Sequence, residues 1–150
     1  MVQISVATEE DTEIISEILG EIEAYYGGEA TPGNTTQIRA ALFSGRPAAQ
    51  VLLARDSDQV LGFASYTFLW PAAGAESSLY LKELFVRSTA RRRGVAKAFM
   101  AALEAAAAAA GCSRIEWTPM PTTRPRLPST RRSELSPVTE RSSTGHPCRR

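Results

Sequence analysis

The chain has 150 residues, 43% of them hydrophobic, a length that one domain fills and that two would strain. Its 17 Lys+Arg against 16 Asp+Glu leave a formal charge of +1, which excludes a partner selected by net charge alone; two cysteines and one histidine show no spacing for a disulfide framework or a metal site. No stretch approaches the roughly eighteen apolar residues of a membrane span, and no basic segment precedes an apolar one at the N-terminus, so the expected setting is a reducing cytoplasm without a membrane partner.

Val2, Ile4 and Val6 alternate with polar neighbours, the pattern of a half-buried strand. Thr8 stands where a helix N-cap belongs, with Glu9, Glu10 and Asp11 in the first turn, where the helix dipole favours negative charge. Ile14, Ile15, Ile18, Leu19 and Ile22 follow at helical spacing and predict an amphipathic helix ending near Ala24. Gly27, Gly28, Pro32 and Gly33 break the chain, after which Asn34 or Thr35 caps a shorter helix through Leu42 and Phe43.

Residues 50–54 and 60–70 predict two antiparallel strands about a turn at 56–59, and 71–78 form a loop before a third strand at 79–86. Val95, Phe99 and Leu103 recur every four residues on a helix that runs through an alanine tract to Gly111, a natural stop. Arg114, Ile115, Glu116 and Trp117 predict one more strand. One strand, two helices, three strands, a helix and a strand describe an α/β or α+β layer around a single sheet.

The composition changes at Pro119. Residues 1–118 hold 10 Lys+Arg against 14 Asp+Glu, or −4, whereas residues 119–150 hold 7 against 2, or +5, with six of the nine prolines and no aromatic residue. The division is therefore a domain over 1–118 and a Pro/Arg-rich tail over 119–150 whose composition predicts disorder.

Between the strand predicted at 79–86 and the long helix lies Arg91-Arg92-Arg93-Gly94-Val95-Ala96. The first N–H groups of a helix lack intrahelical partners and point outward, so this turn is a candidate anion site. Gly94 lets a ligand approach the backbone, Ala96 keeps the first helical turn small, and three arginines add positive charge suited to a diphosphate. Taken alone, the string equally fits basic residues that open a solvated helix.

Tyr80-Leu81-Lys82-Glu83-Leu84-Phe85-Val86-Arg87 followed by the arginine turn resembles the central motif of the GNAT superfamily of N-acetyltransferases, and the order of elements over residues 2–118 resembles it too. The resemblance implies a mixed, mostly antiparallel sheet flanked by helices, with acetyl-CoA as co-substrate lying where two neighbouring strands splay apart. It further implies that the backbone of Leu84, Phe85 and Val86 bonds the pantetheine arm, and that Arg91, Arg92, Arg93, Gly94, Val95, Ala96 and Lys97 surround the pyrophosphate.

Acetyl transfer needs a neutral amine, and Glu83 is the candidate carboxylate to take its proton directly or through water. The competing reading pairs Glu83 with Lys82 or Arg87 on an edge strand. No activated Cys or Ser suggests a covalent intermediate, so direct attack on the thioester is expected. Tyr25, Tyr26, Tyr66 and Trp70 are candidates to line the acceptor cleft, against a reading as core aromatics. Segments 18–26, the helix ending at Phe43 and the strand leading to Trp70 are similar to diamine and thialysine acetyltransferases, which implies a small-molecule primary amine as acceptor, with Glu21 and Glu23 attracting its positive charge. A homodimer is implied by the resemblance alone.

Beyond Trp117 the family pattern continues with an Asn-containing loop, a helix bearing Phe-Tyr and two final strands, and this chain has no counterpart of them, including the Tyr that reprotonates the departing thiolate. With GC-rich codons written for residues 119–150, a shifted reading frame spells Asn-Pro, then Phe-Tyr, then Leu-Gly in the family's order. The tail thus reads as out-of-frame sequence that impairs catalysis. Two other function classes compete: a non-catalytic acetyl-CoA-binding protein that keeps the turn without the chemistry, and a nucleic-acid-binding protein using Arg91 to Arg93 and the tail arginines. The tail lacks the interleaved aromatics that would favour the last.

Overall fold

A computed structural model describes residues 1–118. The expectations for 119–150, both the disorder and the shifted frame, lie outside the described residues. The elements are β1 (Gln3–Val6), α1 (Thr12–Tyr25), α2 (Thr35–Leu42), β2 (Gln50–Asp56), β3 (Gln59–Leu69), β4 (Ser78–Val86), α3 (Val95–Ala109) and β5 (Arg114–Trp117). They match the expected order of strands and helices.

The five strands form one sheet in chain order, antiparallel from β1 to β4, while β5 lies parallel to β4. That parallel pairing requires a crossover, which α3 supplies. Each sheet face carries its own core. Ile15, Ile18, Ile22 and Ile38 from α1 and α2 pack with Val51, Leu53, Phe63 and Phe85 on one face. Val95, Phe99, Leu103 and Ala107 from α3 pack with Leu52, Ala64, Leu79, Leu81, Val86 and Ile115 on the other.

Local chemistry sets the helix ends. Thr8 does precede a helical turn, but the turn is a 3-10 segment, Glu9–Asp11, and the Asp11 carboxylate reaches back to accept the Thr8 backbone N–H at 2.9 Å. Asn34 caps α2, its side chain accepting from the Gln37 N–H at 3.0 Å.

Two bulges decide which residues face which helix. Between β2 and β3 the partners step from Ala54↔Gly62 to Arg55↔Val60, and between β3 and β4 from Ser65↔Glu83 to Tyr66↔Leu81, leaving Leu61 and Lys82 as the extra residues. Strict alternation from Leu79 and Leu81 would turn Glu83 toward α3; the extra Lys82 resets the phase, so Val86 joins the α3 core and Phe85 joins the α1 core. Gly62 has no room for a side chain: a Cβ there would lie 2.7 Å from the Phe85 carbonyl oxygen and 3.0 Å from the Phe99 ring.

Candidate functional site

The site begins where β4 loses one neighbour. β5 pairs with Ser78 through Leu81 and ends at Trp117, so among the described residues 82–86 have a strand only on the β3 side. The lower end of this divide is held firmly. Ser78 donates to the Glu116 carboxylate at 2.7 Å and Arg114 Nε donates to it at 2.8 Å. The Ser78 hydroxyl, outweighing the effect of burial, and the Arg114 charge together hold the Glu116 pKa below the usual value.

Hydrogen-bond alternation then assigns direction to the free edge. The Arg87 N–H donates to the Leu61 carbonyl on β3 at 2.9 Å. In an antiparallel pair, alternate residues turn their N–H and C=O groups to opposite sides. Phe85 therefore bonds toward β3, while Leu84 and Val86 present their backbone groups to the open side. Of the three backbone positions expected to meet the pantetheine arm, Leu84 and Val86 have the right direction and Phe85 does not.

The turn beyond β4 is left-handed at two points, with φ of 64° at Arg92 and 74° at Gly94. Such φ values are uncommon outside glycine, and they curl successive N–H groups into a concavity suited to an anion. Gly94 caps α3 without any side-chain bond, and the first intrahelical donor is Ala98, whose N–H reaches the Gly94 carbonyl at 3.0 Å. The N–H groups of Val95, Ala96 and Lys97 precede that bond and have no intrahelical acceptor. A Cβ on Gly94 would meet no atom of the described residues within 4 Å.

The three arginines do different things. Arg91 lies over the Tyr25 ring, its guanidinium carbon 5.8 Å from the centroid. Arg93 is ion-paired with Asp56 at the end of β2, and Asp56 also takes the N-terminal ammonium at 3.1 Å. Arg92 and Lys97 have no ion-pair partner among the described residues.

Glu83 lies on the α1 and α2 face, half-buried, where its Oε1 accepts from the Tyr26 hydroxyl at 3.1 Å. Burial pushes its carboxyl above the usual value, opposed by the Tyr26 bond and the Lys82 charge. Arg87 is not its partner. That guanidinium instead donates to Glu21 at 2.7 Å, to Glu17 at 2.8 Å and to the Val60 carbonyl at 3.2 Å, tying α1 to the end of β4.

The aromatic candidates divide. Tyr25 and Tyr26 meet edge to face at 5.3 Å, and Tyr25 meets Phe85 at 6.1 Å, so both stand beside Glu83. Tyr66 lies on the opposite face, buried in the α3 core with its hydroxyl donating to Gln50 at 2.7 Å. The β3–β4 bulge separates it from Glu83. Trp70 lies beyond the end of β3, 69% exposed, its indole N–H donating to the Ala75 carbonyl at 2.9 Å.

One feature had no sequence signal. A cleft of about 300 Å³ opens between α1, α2 and the sheet, with Val51, Phe63 and Ser65 from the strands beneath it. Ile15 and Leu19 form one wall and Ile38, Ala41 and Leu42 another, while Asn34 and Gln37 supply neutral polar groups. Ser65 is the direct cross-strand partner of Glu83, so the cleft ends one strand from that carboxylate.

The profile of the Acetyltransferase (GNAT) family matches residues 15–129. The chain belongs to the GNAT acetyltransferase family. An integron cassette protein from the mobile metagenome of V. cholerae is 32% identical with a TM-score of 0.67, over 79% of this chain and 75% of that one. An aminoglycoside acetyltransferase from an uncultured soil metagenomic sample, solved with sisomicin, has a TM-score of 0.68 at 15% identity over 79% and 78% of the two chains. A ribosomal-protein-alanine N-acetyltransferase from Brucella melitensis biovar Abortus 2308 has a TM-score of 0.64 at 19% identity over 85% and 83%. The last two likenesses are of fold. A comparison with curated proteins found no match. GNAT proteins generally use acetyl-CoA, and the open β4 edge and the amide-lined turn of this chain are chemically suited to an amide-bearing arm and a diphosphate.

Proposed function

We propose that this chain transfers the acetyl group of acetyl-CoA to the primary amine of a small molecule by direct attack. The observation that carries the reading is the position of Glu83, a half-buried carboxylate held by Tyr26 on the same strand whose open edge leads into the α3 turn. In this mechanism Leu84 and Val86 hold the pantetheine arm through their backbone, and the N–H groups of Val95, Ala96 and Lys97, with Arg92, take the pyrophosphate. The amine nitrogen attacks the thioester carbon, the C–N bond forms as the C–S bond breaks, and CoA leaves as its thiolate. The amine proton passes to Glu83, directly or through water, and the raised pKa makes that carboxylate a stronger base.

Direct transfer is also favoured by the environment of Cys112, where burial raises the thiol pKa and so disfavours its thiolate as a covalent nucleophile. The test is release of free CoA thiol over a panel of amines, with acetyl-CoA binding followed separately by thermal shift. Glu83→Gln is expected to lower kcat/KM by roughly 10²- to 10⁴-fold while leaving the acetyl-CoA shift unchanged. An unchanged rate would remove Glu83 from the proton path. Acetyl-CoA binding without thiol release from any amine would establish the non-catalytic reading. The out-of-frame origin of 119–150 is a proposal of the same kind, decided by resequencing the gene, and size-exclusion chromatography decides the homodimer.

A further inference from the structure

The cleft beside Glu83 narrows the acceptor further, a step that rests on the proposed acetyl transfer. Three observations bear on it. None of the cleft's described lining residues is ionisable: its walls are aliphatic, its base includes the Phe63 ring, and its polar groups are the neutral Asn34, Gln37 and Ser65. Two carboxylates on α1 that would attract a second ammonium already have a cation partner. Glu21 and Glu17 are held by Arg87 at 2.7 and 2.8 Å, and a Glu23 carboxylate oxygen lies 3.5 Å from where a Cβ on Gly28 would stand, against the loop. Finally, the cleft volume of about 300 Å³ suits a small ligand, and the cross-strand partner of its Ser65 is Glu83.

We infer that the acceptor is a monoamine carrying a compact apolar body, alkyl or aryl, rather than a diamine, polyamine or aminoglycoside. The apolar body lies on Phe63 between Ile15, Leu19 and Ile38, and the amine reaches across Ser65 to Glu83 beneath Tyr26. A second ammonium against these apolar walls would lose part of its water and find no carboxylate among the described lining residues, and that cost discriminates against polycations. The cleft works by leaving the wrong substrate's charge unpaired.

The test compares 2-phenylethylamine and hexylamine with putrescine, spermidine and kanamycin in the thiol-release assay, using the full chain. The monoamines are expected to exceed the polyamines in kcat/KM by about tenfold or more. A higher value for spermidine or kanamycin would overturn the inference while leaving acetyl transfer intact. Binding is measured in parallel by ligand-observed NMR with CoA present, so the result does not depend on turnover. Phenylethylamine is expected to bind and Ala41→Trp, which fills the cleft, to abolish that binding without altering the acetyl-CoA thermal shift. Failure of phenylethylamine to bind, or binding that survives Ala41→Trp, would overturn the inference; binding with no thiol release would overturn only the catalytic reading. Ala41→Glu, which adds a carboxylate to the wall, is expected to move the preference toward putrescine by severalfold.

Discussion

The turn at 91–97 and the cleft under α1 and α2 are both reached from β4, yet they are made of different material. The turn is backbone: left-handed Arg92 and Gly94, an uncapped helix start and the free edge of a strand. The cleft is side chain, set by which aliphatic residues α1 and α2 lay over Phe63 and Ser65. Backbone groups are the same in every sequence, so a phosphate turn can be recognised from a few residues that permit its shape. A side-chain cleft changes with each lining residue, which allows one fold to serve many acceptors.

The largest expected effect breaks both regions together. Phe99 is fully buried under β3 and β4, and Phe99→Ala should cost about 3–5 kcal/mol of stability by urea unfolding, with loss of both acetyl-CoA and amine binding. The next separates backbone from charge in the turn. Gly94→Val forces a β-branched residue to φ of 74° and should weaken acetyl-CoA binding by roughly tenfold or more, since such strain is worth about 1–3 kcal/mol. Arg92→Gly suits the left-handed backbone and removes only a charge; its effect should be smaller, about three- to tenfold, and steeper at low salt. Equal losses from the two, measured by calorimetry, would mean that charge rather than backbone dominates the turn.

A subtler change acts on the other side of β4. The Tyr26 hydroxyl lowers the Glu83 pKa against the upward push of burial, so Tyr26→Phe should move the acidic limb of the kcat/KM profile to higher pH. Stability has a definite sign here too. Folding raises the Glu83 pKa, so the folded state carries no penalty below the usual carboxylate range and loses stability as pH rises from that range through the raised value. Glu83→Gln should therefore unfold at higher temperature than the parent at neutral pH, with the difference vanishing in acid. Smallest of all, Arg39 touches Glu9 and Glu13 only at 4.0 Å on the surface, and Arg39→Ala should change stability by less than about 0.5 kcal/mol and leave both binding regions untouched.

The same contrast explains what could be read in advance. The elements were legible because β1, α1 and α3 carry local periodicity, β2 is a short apolar run, and Asn34 and Gly94 mark helix starts by chemistry that acts within a few residues. The roles of individual side chains were less so. Tyr66 lies one residue from Ser65 yet on the opposite face from Glu83, and Trp70 packs its indole N–H on its own loop at Ala75. The pairing of Glu21 with Arg87, 66 residues along the chain, has no local signal at all.

By itself, the sequence determined the order of strands and helices, the apolar stripe of each helix, and the turn whose glycine and small residues permit an amide-lined anion site. Those are short-range properties, decided by steric limits on φ and by periodicity. Tertiary structure alone decided the facing of Glu83, because the extra Lys82 that resets β4 is visible only against the register of β3. It also decided that Arg87 pairs with Glu17 and Glu21 of α1 and that the cleft is apolar, since both depend on residues brought together from distant parts of the chain.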